Sequence, residues 1–489
     1  PVVASRVGAL PELIRDGETG VLVPARDDLA LASAIERLLS DEAARQRLGA
    51  AARAHAVAHY SVETVAGQTL RLYETMLRPT RLRQRRELRV AMLSNYPTWA
   101  LEGQAGYHND PHRHPSPWVP RLARALASTG HVEVHVVTQT DEIDRDRTLT
   151  ADGVTMHFVR CPRRLRAATL FLPDCARLHR VLRGIRPDLV HAHGTEDAYS
   201  LAGLTSGLPC VITMQGMIFR IAERAGNPAD LRTWVLTRLE RWCLRRARHI
   251  IAKSDHVARC IAPIATRATF HRIPNAMNPA FFEAADEPVA DRLLFAAMIA
   301  PVKGLEHLVA ALPRICERRP GARLDIVGVP GRGSEAYLTA IQDQVRRLGL
   351  ADRVRFLGFM RPEALAREMA QASVVVVPSL EEMFCNVAAE AMSVGRPVVA
   401  SRVGSLPELV ADGERGLLVP PVDPQALADA VLRLLEDDAL RARMGAAARA
   451  WAQQWEPSVV AQQTLAVYEA ILQEVMTLPA CDGPRVLDK

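Results

Sequence analysis

Short apolar runs separated by stretches of helical spacing dominate the second half of this chain. Val374–Val377 is four valines in a row, β-branched and too short for a helix, which predicts a parallel strand buried on both faces. Further runs at 293–298, 324–328, 354–359, 398–401 and 416–419 predict its neighbours. An earlier segment shows the same pattern, with runs at 89–94, 132–138, 187–194 and 209–214 and helical spacing over 118–128. Alternating strand and helix predicts parallel, doubly wound α/β domains. Such sheets bind ligands beyond the carboxyl ends of their strands. After Val377 come Pro378-Ser379, a loop with Glu381 and Glu382, a predicted helix from about Asn386 to Val394, and Gly395 to close it.

The chain also repeats itself. PVVASRVGALPELIRDGETGVLVPARDD opens it, and PVVASRVGSLPELVADGERGLLVPPVDP returns at Pro397. Residues 1–55 match 397–451 at 37 positions without a gap, and Gln68-Thr69-Leu70 matches Gln463-Thr464-Leu465 after a slip of one residue. An offset this long is no solenoid repeat. Residues 1–77 read as a partial duplicate, lacking the acidic loop and most strands of its parent. They are expected to be catalytically inert, with apolar faces left open unless something docks on them. A piece of a longer tandem enzyme is the preferred source, a natural truncated fusion the alternative. Residues 78–88 form an arginine-rich linker, expected to be solvated.

Composition narrows the class. At 489 residues with 48% apolar and 24% charged positions, the chain predicts two or three soluble globular domains. The net charge of +6 is modest and partly concentrated in the linker, so nothing demands nucleic acid. Eight cysteines form no CxxC pair, which predicts reduced thiols rather than a zinc site or disulfide frame. No signal-peptide pattern and no run of 18 apolar residues appears, so a cytoplasmic location is expected. Trp234–Arg248 is a basic amphipathic stretch with two tryptophans: a core-packed helix with a solvated face, or a peripheral contact at the inner face of a membrane.

Glu382 and Glu390 are separated by seven residues, with Pro378-Ser379 before them, Glu390-Ala391-Met392 inside the pattern and Gly395-x-Pro397-Val398-Val399 after it. This text resembles the Glu-x7-Glu signature of retaining GT-B glycosyltransferases, family 4, over residues 89 to about 475. The resemblance implies two Rossmann-like doubly wound domains facing across a cleft: an acceptor-binding domain at 89–285 and a donor-binding domain at 286–458. A crossover helix at 459–476 and a tail at 477–489 follow, and residues 1–77 become a partial Rossmann fragment. It implies a retaining, metal-independent hexosyltransferase that needs no cofactor. The donor substrate would be a UDP- or GDP-linked sugar and the acceptor a glycan or lipid-linked molecule, in surface polysaccharide or glycolipid assembly.

Site residues follow from the same resemblance. Glu390 would hold the donor ribose, Glu382 would position the sugar, and Lys303 in Pro301-Val302-Lys303-Gly304 would meet the diphosphate. Asn386 and Val387 begin a helix whose free N–H groups and dipole favour phosphate. Phe359 and Met298, at strand ends, complete the donor side. Met298 is a departure, because the family commonly places arginine there. Loss of one charge-assisted hydrogen bond weakens donor binding by about ten- to a hundredfold, and Arg402 is the candidate replacement. In the first domain Gln215-Gly216 replaces a common His-Gly; Gln215 can orient a hydroxyl but cannot act as a base. His193 and His191 are weighed as its substitutes, each against a place in the core.

A proline-rich loop, Tyr107–Trp118, replaces the usual glycine-rich one. Its His114 and Trp118 are acceptor-binding candidates, and its histidines are poorly spaced for metal. Asp144-Arg145-Asp146 spells a metal motif of another glycosyltransferase fold, without the rest of that fold. Two other classes stay open: a catalytically impaired nucleotide-sugar-binding or scaffold protein, motivated by Met298, Gln215 and Cys385, and a GT-B nucleotide-sugar 2-epimerase.

Overall fold

The computed structural model describes residues 1–8, 10–61, 87–96, 98, 118–162, 166, 169–224, 231–285, 287–331 and 333–477. Most of the linker, the tail from 478, and the loop with His114 lie outside the described residues. The chain divides into two units, residues 1–86 and 87–489.

In the first unit, β1 (Val2–Ser5) pairs in parallel with β2 (Gly20–Val23). Helices Asp28–Ser40 and Glu42–Tyr60 follow, each started by an aspartate (Asp27, Asp41) that accepts a backbone N–H of the first turn. Much of the apolar side of the first of these helices is open, Leu39 being 70% exposed.

The second unit holds two sheets. The first contains β3 (Leu88–Leu93), β4 (Val132–Thr140), β5 (Arg147–Ala151), β6 (Val154–Arg160), β7 (Leu189–His193), β8 (Cys210–Thr213), β9 (His249–Ala252) and β10 (Thr269–Arg272). Their order is β10-β9-β8-β7-β3-β4-β6-β5, parallel throughout except where β5 pairs antiparallel with β6. The DxD text serves this hairpin: Asp144 takes Arg147 at 3.0 Å, and Asp146 accepts the Arg160 N–H at 2.7 Å.

The second sheet contains β11 (Arg292–Ala296), β12 (Arg323–Val327), β13 (Val354–Gly358), β14 (Val374–Val377), β15 (Val398–Ser401) and β16 (Gly416–Val419), in the order β13-β12-β11-β14-β15-β16. The order reverses between β11 and β14, which makes their carboxyl ends the switch point of the sheet. Strand β14 is buried along its length, as its valine run requires. The helix Asn386–Val394 packs beside it through Ala388, Ala389, Ala391 and Met392. Small alanines let helix and sheet approach closely, and left-handed Gly395 (φ 86°) ends the helix.

Some expected strands end early. β11 stops at Ala296 and β13 at Gly358, so Met298 and Phe359 sit beyond them at 54% and 71% exposure. The final helix, Pro457–Thr477, returns to the first domain and places Val460, Ala461, Val467, Tyr468 and Ile471 in its core. The basic stretch forms the helix Leu231–Arg246, with Val235, Leu236, Cys243 and Leu244 buried. Its arginines cover its tryptophans: Arg238 lies 5.1 Å over Trp234, and Arg246 lies 4.1 Å over Trp242. Among the described residues no helix is long and apolar enough to cross a membrane.

Candidate active site

The loop after β14 is held from two sides by close backbone approach. Leu380 donates to the Val302 carbonyl at 2.8 Å, tying the loop to the turn Pro301–Lys303. Gly304 makes this contact possible, since a Cβ there would fall 2.1 Å from the Pro378 carbonyl oxygen. On the other side Ser405 donates to the Glu382 carbonyl at 3.0 Å, and a Cβ on Gly404 would lie 1.9 Å from that oxygen.

This clamp fixes Glu382, whose Oε1 accepts from Lys303 Nζ at 2.6 Å and from the Ser379 hydroxyl at 2.8 Å. Burial works against the Lys303 charge, yet Glu382 and the nearby Cys385 hold its pKa above the ordinary lysine value. The helix that follows has Cys385 at its N-cap, with no side-chain oxygen to cap it, unlike the aspartate-capped helices elsewhere in the chain. Asn386 accepts from the Asn275 side chain at 3.2 Å, and Val387 packs against the core. One helical turn on, Glu390 faces Arg121 of the first domain. Burial pushes the Glu390 carboxyl up to about 7, with Arg121 pulling the other way. Arg402 is bound to Asp412 at 2.5 Å.

Across the cleft, the ends of β7 and β8 carry the first-domain candidates. His191 is fully buried, with its ring nitrogens 2.6 Å from the Tyr468 and Thr213 hydroxyls. Both its nitrogens are thus engaged, and its ring stacks on that of His193 at 4.0 Å between centroids. His193 is 5% exposed, and neither ring nitrogen has a partner among the described residues. Burial first, and the charge of Lys253 second, lower its pKa to about 3, which keeps the ring neutral. Trp118, His193, Gln215 and Asn275 border one cavity.

Three residues of this region were missed in the sequence reading: Arg121, Glu196 and Lys253. Lys253 and Glu196 each follow a short buried strand, and strand-end position was the signal that pointed to them. Arg121 lies within a helix and carried no such signal. The two domains are also joined directly. Glu408, in the helix Leu406–Val410, accepts the backbone N–H groups of Asp255 and His256 at 2.7 and 2.6 Å. Those residues begin the helix Asp255–Ile261, so a donor-domain carboxylate sits at the N-terminus of a first-domain helix. Ser254 donates to the Met383 carbonyl at 2.9 Å, next to Glu382. Among the described residues no group of three histidine, cysteine, aspartate or glutamate side chains could hold a metal ion.

A family model for glycosyl transferases group 1 matches residues 1–55 and 282–451, and one for a glycosyl transferase 4-like domain matches 115–276. The chain is 32% identical over 431 residues to a D-inositol 3-phosphate glycosyltransferase of Streptomyces avermitilis, covering 81% of this chain and 90% of that protein. The same enzyme of Corynebacterium diphtheriae is 40% identical over 177 residues, 36% of this chain and 42% of that one. Sucrose-phosphate synthase from Thermosynechococcus elongatus superposes with a TM-score of 0.66 at 25% identity, over 79% of this chain and 100% of that one. HepE of Anabaena, solved in complex with UDP, has the same fold, with a TM-score of 0.59 at 20% identity over 79% of this chain and 100% of its own.

Proposed function

This chain belongs to the glycosyl transferases group 1 family, and from that membership we propose that it transfers a sugar, with retention and without a metal, from a nucleotide-diphosphate donor to a hydroxyl acceptor. The observation that carries the reading is the Lys303–Glu382–Ser379 cluster at the switch point, beside an uncapped helix start. Lys303 would neutralise the diphosphate, the N–H groups at Asn386 and Val387 would bind it, Glu390 would hold the ribose, and Glu382 would position the sugar.

Retention is read from the Glu382–Glu390 pattern, and the two first-domain candidates on the acceptor side are poorly suited to take the acceptor's proton. His193 is a weak base with its pKa near 3, Gln215 is neutral, and Glu382 is engaged by Lys303. The bond from the anomeric carbon to the phosphate oxygen would break as the acceptor oxygen bonds to that carbon. The acceptor's proton would pass to the leaving phosphate. The clasp at Glu408 would keep water out while this happens.

The acceptor is read as a surface glycan or glycolipid hydroxyl. The name of the Streptomyces relative makes D-inositol 3-phosphate the second acceptor to try. Residues 1–77 are read as a partial second copy, in line with the group 1 match to residues 1–55. The helix Leu231–Arg246 would supply any peripheral contact with the inner face of a membrane. The test is calorimetric titration with UDP- and GDP-sugars, followed by an acceptor screen. One nucleotide is expected to bind, about ten- to a hundredfold more weakly in Lys303→Ala. Affinity unaffected by both Lys303→Ala and Glu390→Ala would remove this site from donor binding.

A further inference from the structure

Three lysines stand among the 61 basic residues of this chain, at 253, 303 and 489. Arginine fills every other basic position. A lysine kept in such a chain offers what arginine cannot: a compact ammonium with three donors on a flexible stem. Lys303 has its partner in Glu382. Lys253 directly follows β9, is 6% exposed, and donates to both the main-chain carbonyl and the side-chain Oε1 of Gln215, each at 3.0 Å.

The surroundings hold that ammonium in place. Glu196, from the turn after β7, is lodged against Gly194 and Gly216; a Cβ on either glycine would come within 2.2 and 2.5 Å of its carboxylate oxygens. The Trp118 ring lies 5.7 Å from Lys253 Nζ. His193, Glu196 and, across the cleft, Glu382 are the titratable groups that act on Lys253 or feel its charge. Burial draws the Lys253 pKa down to about 8, while Glu196 and Glu382 oppose the shift, so the side chain is charged at neutral pH.

A glutamine carboxamide has an acceptor end and a donor end of nearly equal size. A cation fixed on one side takes the oxygen and turns the nitrogen the other way. Among the described residues Gln215 Nε2 has no partner, nor do the ring nitrogens of His193, and both side chains border the same cavity. Buried polar atoms left in this state are satisfied by an ordered water, which a substrate oxygen can replace, or remain a cost to the fold. We propose that Lys253 is a positioning residue: it holds the Gln215 oxygen so that the Gln215 Nε2 amide is presented to a substrate oxygen as a hydrogen-bond donor. The identity of that oxygen, on a sugar or a phosphate, rests on the glycosyltransferase reading; the Lys253–Gln215 contact does not.

Lysine labelled with 15N at Nζ gives at most three side-chain signals in this chain, and the one absent from Lys253→Met belongs to Lys253. Its titration midpoint is expected to fall in Gln215→Met, which removes an acceptor from the ammonium, and to rise in Gln215→Glu, which places a carboxylate there. Transfer is expected to drop about tenfold in Lys253→Met, Gln215→Met and Gln215→Glu, because the glutamate variant keeps the contact with Lys253 and loses the donor. The double variant Lys253→Met/Gln215→Met is expected to be no worse than Gln215→Met alone.

A lysine signal unmoved by Gln215→Met, losses that multiply in the double variant, or full transfer by Gln215→Glu would each overturn the proposal. If Lys253→Met does not fold, Lys303→Ala and Lys489→Ala together assign the Lys253 signal by elimination, and the two Gln215 variants decide. If no acceptor is turned over by the intact protein, the glycosyltransferase reading fails, while the lysine signal still decides whether Lys253 holds Gln215.

Discussion

Residues 1–55 and 397–451 share most of their text, and they build the same local structure. Val2 lies opposite Gly20 as Val398 lies opposite Gly416. Asp16 takes the Arg6 guanidinium and the Leu22 N–H; Asp412 does the same for Arg402 and Leu418. Asp27 and Asp41 start their helices as Asp423 and Asp437 do. The left-handed backbone of Arg26 (φ 60°) returns at Val422 (φ 62°). Burial does not return. Leu31, Ile35 and Leu39 are 36%, 42% and 70% exposed, whereas Leu427, Val431 and Leu435 are 2%, 0% and 3% exposed. The helix Pro424–Glu436 packs on Leu305–Arg318, and β14 flanks β15, while β1 and β2 form a sheet of two among the described residues. Caps, turns and register are settled by neighbours in sequence. Burial is supplied by chain that lies far off in sequence.

Truncating the matched leucines is the most forceful way to break this contrast. Leu435→Ala is expected to cost about 2–5 kcal/mol of stability, as for other core leucines. Leu39→Ala is expected to cost under about 0.5 kcal/mol, as at an open surface. Urea unfolding of each variant reads both values, and equal losses would show that Leu39 is covered in solution. A smaller effect comes from text common to both regions, Leu-Pro-Glu-Leu. In the second region its Glu408 holds the start of a first-domain helix and also takes Arg259 at 2.9 Å. Glu408→Ala removes these contacts between the domains, and the KM for donor is expected to rise about tenfold, with a modest loss of thermal stability. An unchanged KM would mean that this clasp has no part in closing the cleft.

The same contrast explains what the sequence made legible. The valine run, the helix from Asn386 and its Gly395 stop are local signals, and they were read at their observed bounds. The Glu382–Lys303 pair was approachable only through the resemblance, because 79 residues separate its members. Lys253 and Glu196 come to the cleft by sheet order and Arg121 from a helix, and none carries a motif. His191 was weighed as a substitute for the missing histidine and acceptor contact against a place in the core, and it meets Tyr468 from 277 residues away, a bond that no pattern around His191 announces. Arg402 was weighed as a phosphate cation, and the bond it makes to Asp412 is one that its own neighbourhood in sequence repeats between Arg6 and Asp16. The hairpin β5–β6 went unread because its first strand is short and polar.

The smallest effect expected sits just upstream of the repeated text, at Glu390, so only the second region can show it. Its folded pKa of about 7 exceeds the ordinary 4.5 because burial penalises the carboxylate, with Arg121 opposing. Between those values the folded protein keeps a proton that the unfolded chain has released. Stability therefore falls as pH rises across that window and levels off above it. Donor binding runs the other way. A carboxylate accepts from both ribose hydroxyls, whereas the acid form turns one oxygen into a donor. Donor affinity is expected to rise about threefold between about pH 6 and about pH 8, a change well under one pKa unit of free energy. Glu390→Gln should bind more weakly with a flat profile, and Arg121→Met should move the midpoint upward, because it removes the charge that favours the carboxylate. A rising profile that survives in Glu390→Gln would take the ribose away from Glu390, and the two regions would then differ at this edge in packing alone.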